Sequence, residues 1–388
     1  MPADAASLAP LFAPRSVAVV GASRRPGSVG GAVLHNLLRG GFQGPVYPIN
    51  PAAPFVQSVR AYPSLRALPE VPDLAVVVVP AAQVLEVVAE AGALHVPAVC
   101  VISAGFGEIA GGREREHELG RLAREAGLRL LGPNCLGAQN ADPRVRLDAT
   151  FATTFAPDGR IAFASQSGAL GLAALDYAQE LGIGFSIFAS LGNKADVSGN
   201  DVLEYLGADA RTRVILLYLE SLGNPQHLRE IAERVGREKP IALVKSGRSG
   251  AGARAAGSHT GAITGPDSAV SALCRQTGMI RAETLEELFD VAMILANQPL
   301  PAGGNVGVVT NAGGPGILAA DALEAAGLHV PRLAADTEAR LRAVLPAAAS
   351  VNNPIDILAD SSAEVFGRAL AIAHDDPGLD ALLAIFVP

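Results

Sequence analysis

Short β-branched runs recur along this chain, each followed by a loop of small residues and then by a stretch patterned for an amphipathic helix. Strands separated by helices return to the sheet parallel, so the alternation restricts the chain to α/β layers with parallel sheets. Residues 17–20 read as the first strand, followed by the loop Gly21-Ala22-Ser23-Arg24-Arg25-Pro26-Gly27-Ser28-Val29-Gly30 and a helix to about Arg39. Residues 46–49, 74–79, 98–103 and 128–131 read as the next strands. A second unit opens at Arg160, with a strand over 161–164, the loop Ser165-Gln166-Ser167-Gly168 and a helix over 169–181. A third opens near Asn305, with a strand over 306–310, a loop from Asn311 to Gly316 and a helix over 317–326. Gln166-Ser167-Gly168 aligns with Asn311-Ala312-Gly313, and Gly171 with Gly316, as in a duplicated unit. Residues 382–387 read as a last strand with no loop after it. Ligand loops follow the carboxyl ends of strands, so the third domain is expected to be truncated.

Composition narrows the function classes. At roughly 100–200 residues per domain, 388 residues suggest two to four domains. Thirty Lys and Arg against 38 Asp and Glu leave a net charge of −8, which argues against nucleic acid as a partner. Aromatics make up only 4% and Trp is absent, so a base-stacking platform is not expected. Cys100, Cys135 and Cys274 form no Cys-x-x-Cys pair and the seven His are dispersed, so no metal site and no disulfide framework is expected. A reducing, cytoplasmic setting follows. The longest uncharged stretch, residues 291–320, is broken by Pro299, Pro301 and Gly303, so no membrane span is expected.

The first loop has the makings of an anion site: a strand, a Gly-rich turn and a helix N-terminus. Gly-x-Gly-x-x-Gly nevertheless fails, because Ser23 and Pro26 hold the second and third glycine positions. No acidic residue lies between Asp4 and Glu70, while Arg15, Arg24, Arg25, Arg39, Arg60 and Arg66 do. A ligand with several phosphates suits that unit. Coenzyme A fits; NAD would want an acidic residue for its ribose hydroxyls, and NADP fits less well because the glycine spacing is wrong.

A second signal is Gly257-Ser258-His259-Thr260-Gly261-Ala262, preceded by Lys245-Ser246-Gly247-Arg248. Small residues let backbone N–H groups approach phosphoryl oxygens, hydroxyls add bonds, and cations offset charge, which is what a phosphorylated imidazole needs. Glu220, after the strand over 214–219, is a partner able to orient the ring. The same residues also fit a plain solvated loop. No P-loop, no Gly-x-Ser-x-Gly elbow and no His-Glu-x-x-His occurs.

Seven strings occur in order: Val20-Gly21-Ala22-Ser23, Tyr47-Pro48-Ile49-Asn50-Pro51, Ile102-Ser103-Ala104-Gly105-Phe106-Gly107-Glu108, Gly132-Pro133-Asn134-Cys135-Leu136-Gly137, Ser165-Gln166-Ser167-Gly168, Gly257-Ser258-His259-Thr260-Gly261-Ala262 and Asn311-Ala312-Gly313-Gly314-Pro315-Gly316. Together they resemble the NDP-forming acyl-CoA synthetases of the succinyl-CoA synthetase superfamily, most closely the α-type region of ADP-forming acetate–CoA ligases. The resemblance implies a Rossmann-like CoA-binding domain over 1–145. Two flavodoxin-like, succinyl-CoA synthetase-like parallel-sheet domains follow it. The first, over 146–300, carries the phosphohistidine loop, and the second, over 301–388, is incomplete. It implies Gly21, Ala22, Ser23, Arg24, Pro26, Ser28, Gly30, Asn50, Pro51, Ser103, Ala104, Gly105, Phe106 and Asn134 around CoA. Ser165, Gln166, Ser167, Gly168, Ser258, Thr260 and Gly261 would hold phosphate, His259 would carry the phosphoryl group, and Glu220 would orient it.

The implied reaction converts acyl-CoA, phosphate and NDP to acid, CoA and NTP through acyl phosphate and phosphohistidine, with acetyl as the family's acyl group. ATP or ADP with Mg would bind only to an ATP-grasp β-type subunit or a C-terminal extension, and an oligomer is expected. Two departures stand out. Relatives carry Lys before the Val-Gly of the first loop and before the Tyr-Pro strand, where Ser28 and Pro45 lie here. Arg24 and Arg25 are the cations able to replace them. The alternative reading is a CoA-sensing regulatory region of a larger protein such as an acetyltransferase fusion; a third is an NADP-dependent enzyme.

Overall fold

Val17–Val20, Leu74–Val77 and Ala98–Val101 are apolar at every position and buried at every position. Strands covered by helices on both faces need that pattern. In the computed structural model, which describes residues 5–252, 254 and 267–388, these are strands β1, β5 and β6 of a five-stranded sheet. It is completed by β2 (Val46–Ile49) and β7 (Arg129–Leu131), in the order β2-β1-β5-β6-β7. All its pairings are parallel. A small ribbon, β3 (Phe55–Val56) with β4 (Val59–Arg60), follows β2. The helix Val29–Gly40 covers the sheet with Val33, Leu34 and Leu37, all fully buried. Each such side chain contributes about 1.5–3 kcal/mol of burial.

The second sheet has seven strands in the order β14-β13-β12-β10-β11-β8-β9. Its parallel part consists of β10 (Asp158–Ser165), β11 (Phe185–Ser190), β12 (Val214–Leu219), β13 (Ile241–Lys245) and β14 (Ile280–Ala282). The expected all-parallel sheet needs one correction. A hairpin of β8 (Gly137–Asn140) and β9 (Leu147–Thr150) extends the β11 edge antiparallel. Nothing in Gly137-Ala138-Gln139-Asn140 alternates apolar with polar, yet all four residues are buried. Their side-chain N–H groups find acceptors on other segments: Gln139 Nε2 donates to the Thr154 carbonyl at 2.9 Å, and Asn140 Nδ2 to that of Phe12 at 2.9 Å.

The two sheets belong to one compact unit that runs to Gln298. Asn36, on the helix over the first sheet, donates to the carbonyls of Thr150 and Ala152 at 2.9 and 2.7 Å. The loop after β11 runs beside the end of β7, with Asn193 N–H donating to Pro133 O at 2.9 Å and Ala195 N–H to Gly132 O at 3.0 Å. Gly192 makes this approach possible: its φ is +57°, and a Cβ there would stand 2.2 Å from the Pro133 carbonyl oxygen. Arg129 reinforces the seam through Asp196 and Asp201, at 3.0 and 3.2 Å.

Residues 299–388 form the second unit. Its sheet is parallel, β16-β15-β17, from Ile355–Asp356, Val306–Thr310 and Ala381–Ile385. The helix after β15 covers Gly313–Ala325, so Gly313 to Gly316, expected as loop, form its first turn. Pro315 is tolerated there because first-turn N–H groups have no helical acceptor. The two strand ends repeat one device: Ser165 Oγ donates to Ser167 O at 2.7 Å, and Thr310 Oγ1 to Ala312 O at 3.0 Å. Among the described residues no helix is long and apolar enough to cross a membrane.

Candidate active site at the strand ends

β1 ends at Val20, and the chain must turn at once into the helix Val29–Gly40. Gly21 takes φ +96°, and a Cβ on Gly30 would come 2.1 Å from the Gly21 carbonyl oxygen, so only glycine permits the crossing. Ser28 caps the helix, its Oγ accepting from Gly31 N–H at 3.3 Å and donating to Arg25 O at 2.7 Å. Ser23 Oγ accepts from Arg25 N–H at 3.0 Å. Asn50, from the end of β2, donates to the buried Ala22 carbonyl at 2.8 Å. The turn walls a hollow of about 430 Å³ with Ser23, Arg24, Pro26 and Ser28, joined by Arg25, His35 and Arg39. Gly21, Ala22, Gly30 and Asn50 shape this turn from behind, and Pro51 is exposed outside the hollow.

A larger cleft of about 770 Å³ adjoins it, and Phe151 lines both. Its walls bring together Ser103, Ala104 and Asn134 from loops of the first sheet with Gln166, Ser167 and Gly168 from the second. Gly105 and Phe106 do not line it. Their N–H groups donate to the Glu108 carboxylate, and Phe106 is fully buried. Burial would raise the Glu108 carboxyl, but these N–H donors and Asn193 outweigh it and hold the group below the usual carboxylate range.

Ser167 caps the helix Gly168–Glu180, its Oγ accepting from Leu170 N–H at 3.4 Å. The first residues of that helix, Gly168 and Ala169, face the cleft, so its dipole and free N–H groups favour an anion there. Ser165 lies beneath, fully buried. Gln166 Oε1 accepts from the backbone N–H of Glu220 at 2.9 Å, that of Ser221 at 3.0 Å and the ammonium of Lys194 at 3.0 Å. Glu220 is thereby fixed, buried, at the end of β12. Lys194 also donates to Ser221 Oγ at 2.6 Å and Ser221 O at 3.1 Å. Burial pulls the Lys194 ammonium down to about 8; Lys245 acts in the same direction and Glu220 against it. Ser258, His259, Thr260 and Gly261 lie outside the described residues.

Asn193 and Lys194 escaped the sequence reading. Their signal was Leu191-Gly192-Asn193-Lys194, a glycine turn at the end of β11, the strand beside the one that delivers Gln166.

Three family models match in series: a CoA binding domain over residues 15–141, a succinyl-CoA ligase-like flavodoxin domain over 158–295 and a ligase-CoA domain over 306–387. The α subunit of ADP-forming acetate–CoA ligase II from Pyrococcus furiosus is 40% identical over 378 residues, 97% of this chain and 81% of that protein. The chain belongs to the ADP-forming acetate–CoA ligase α-subunit family. An ADP-forming acetate–CoA ligase I from Archaeoglobus fulgidus is 43% identical over 380 residues, 97% of this chain and 54% of that protein, so the chain spans about half of that relative's length. The solved structure of a dinucleotide-forming acetyl-coenzyme A synthetase 1 from Ca. Korarchaeum cryptofilum, in complex with phosphate and ADP, superposes with a TM-score of 0.94 at 38% identity. That match covers 98% of this chain and 82% of the other. The expected family and the α/β, CoA-binding and succinyl-CoA ligase-like fold class are thus both borne out.

Proposed function

We propose that this chain is the CoA-binding, phosphohistidine-carrying part of an ADP-forming acyl-CoA synthetase. The observation that carries the reading is a single cleft with Ser103 and Asn134 in one wall and the N-terminus of the helix Gly168–Glu180 in another. A thioester along the first-sheet loops would bring its carbonyl carbon towards a phosphate held at that helix. A phosphate oxygen attacks the carbonyl carbon, the C–S bond breaks, CoA leaves as thiolate and acyl phosphate remains. Backbone N–H groups and the Gln166 amide offset the charge on phosphate.

A ring nitrogen of His259 then attacks phosphorus, the P–O bond to the acyl group breaks, and the acid departs. Glu220 orients the ring. The phosphoryl group passes to NDP held with Mg by an ATP-grasp β-type subunit or extension, in an oligomer. Arg24, Arg25 and the turn from Gly21 to Gly30 hold the CoA phosphates, supported by the hollow those arginines wall. Residues 1–145, 146–300 and 301–388 are the working domains, a division supported by the three successive family matches. Acetate is the acyl group proposed, because relatives from P. furiosus and A. fulgidus bear it in their names. A cytoplasmic setting suits the three free, buried cysteines.

The test is intact mass after incubation with acetyl-CoA and phosphate. A phosphoryl adduct on the wild-type chain, absent from His259→Asn, is the expected result. CoA binding without an adduct on either chain would contradict phosphoryl transfer and favour a CoA sensor.

A further inference from the structure

Lys194 has no part in the reaction steps above. Its backbone is held on both sides, by Asn193 N–H on Pro133 O and Ala195 N–H on Gly132 O, and takes a left-handed φ of +65°. A non-glycine residue is held in that region only where the surroundings impose it. From the end of β11 the ammonium reaches the ends of two neighbouring strands, meeting Gln166 after β10 and Ser221 after β12.

Three donors converge on one end of the Gln166 amide, so that end is the oxygen. The nitrogen is then the end with which Gln166, a lining residue of the cleft, donates to a ligand. Two of the three donors are peptide N–H groups of the turn they also fix. The third is a charge, which makes the stronger bond.

We propose that Lys194 is a positioning residue for the acyl phosphate step: it clamps Gln166 so that Nε2 points at a phosphate oxygen, and it pins the Glu220–Ser221 turn against the same amide. The inference rests on the function proposed above. Lys194 faces Glu220 from the end of β12 and Lys245 from the end of β13, while Glu108 and Glu116 hold the adjoining Asn193. With its ammonium drawn down to about 8, Lys194 is mostly charged at neutral pH, and the clamp weakens as the pH rises past that value.

The experiment measures phosphate-dependent release of CoA thiol from acetyl-CoA by the full chain, its Lys194→Met, Lys194→Arg and Gln166→Ala variants, and the Met/Ala double variant. Lys194→Met is expected to lower kcat roughly tenfold to hundredfold, the range that a misplacement of about 1 Å can cost. Its KM for phosphate rises, and its affinity for CoA stays within about twofold of wild type, because the CoA loops are untouched. The double variant is no slower than the slower single one. Lys194→Arg restores part of the rate and moves the alkaline fall to higher pH, since guanidinium keeps its proton. A wild-type rate in Lys194→Met, or losses that multiply in the double variant, overturns the inference and leaves the proposed function standing. No phosphate-dependent release by the wild-type chain overturns both. If Lys194→Met also loses CoA binding, the arginine variant decides: an unmoved alkaline limb rejects the role.

Discussion

Asn134 Nδ2 donates to Asn193 Oδ1 at 3.2 Å, joining a loop of the first sheet to a loop of the second. Asn193 Nδ2 in turn donates to Glu108 and Glu116, at 2.7 Å each, and Glu116 accepts from Gly107 N–H at 2.9 Å. The seam at the cleft is therefore a polar chain, and its energetics depend on every member having a partner. Asn193→Ala removes the donor shared by two carboxylates and is expected to cost about 1–3 kcal/mol. Asn193→Asp sets a third carboxylate beside them and costs more. Urea unfolding checks the order; equal stability of both variants with wild type would refute the role of the seam.

Arg24 and Arg25 wall the hollow next to the cleft. Replacing either by Ala should weaken CoA binding about tenfold, the equivalent of one charge-assisted hydrogen bond. Calorimetry with pantetheine, which has no phosphates, should show no change for the same variants. A parallel loss for both ligands would place the phosphates elsewhere.

Asp148 is buried among Gln139 and Thr150, and desolvation lifts its carboxyl to about 6 despite the bonds they donate. A carboxyl raised above its unfolded value binds its proton more tightly in the folded state. Its stabilising effect is complete below about pH 4 and is lost as the pH rises through 6. The shift corresponds to roughly 3 kcal/mol between pH 4 and pH 8. Asp148→Asn should flatten that slope and exceed wild type in stability at pH 8. Melting curves across this range test it, and identical slopes for the two proteins would refute it.

Gly30 passes so close to the Gly21 carbonyl that a methyl group has no room. Gly30→Ala should cost about 1–3 kcal/mol and push the first turn out of place. CoA affinity should fall further than the loss of stability alone explains. Unchanged CoA affinity in the folded variant would separate the turn from binding.

The central strands are legible in the sequence because parallel strands buried on both faces are written as unbroken apolar runs, as in Val17–Val20 and Ala98–Val101. The turn Ser165-Gln166-Ser167-Gly168 is legible because a helix N-terminus selects small and hydroxyl residues. The hairpin of β8 and β9 was not, since Gln139 and Asn140 are buried through partners on other segments. Lys194 was hidden for the same reason. Its significance lies in meeting Gln166 and Ser221, 28 and 27 residues away along the chain. The start of the helix at Gly313 was hidden by a Gly-Gly-Pro-Gly string that reads as loop but is compatible with a first turn.

The proposed function requires that one cleft hold the CoA thiol and phosphate together. A crystal structure of the chain with CoA and phosphate bound tests it most directly. Phosphate is expected at the N-terminus of the helix Gly168–Glu180, within reach of Gln166, and the thiol beside it near Asn134. A thiol ending outside this cleft, or phosphate bound away from that helix, would contradict it.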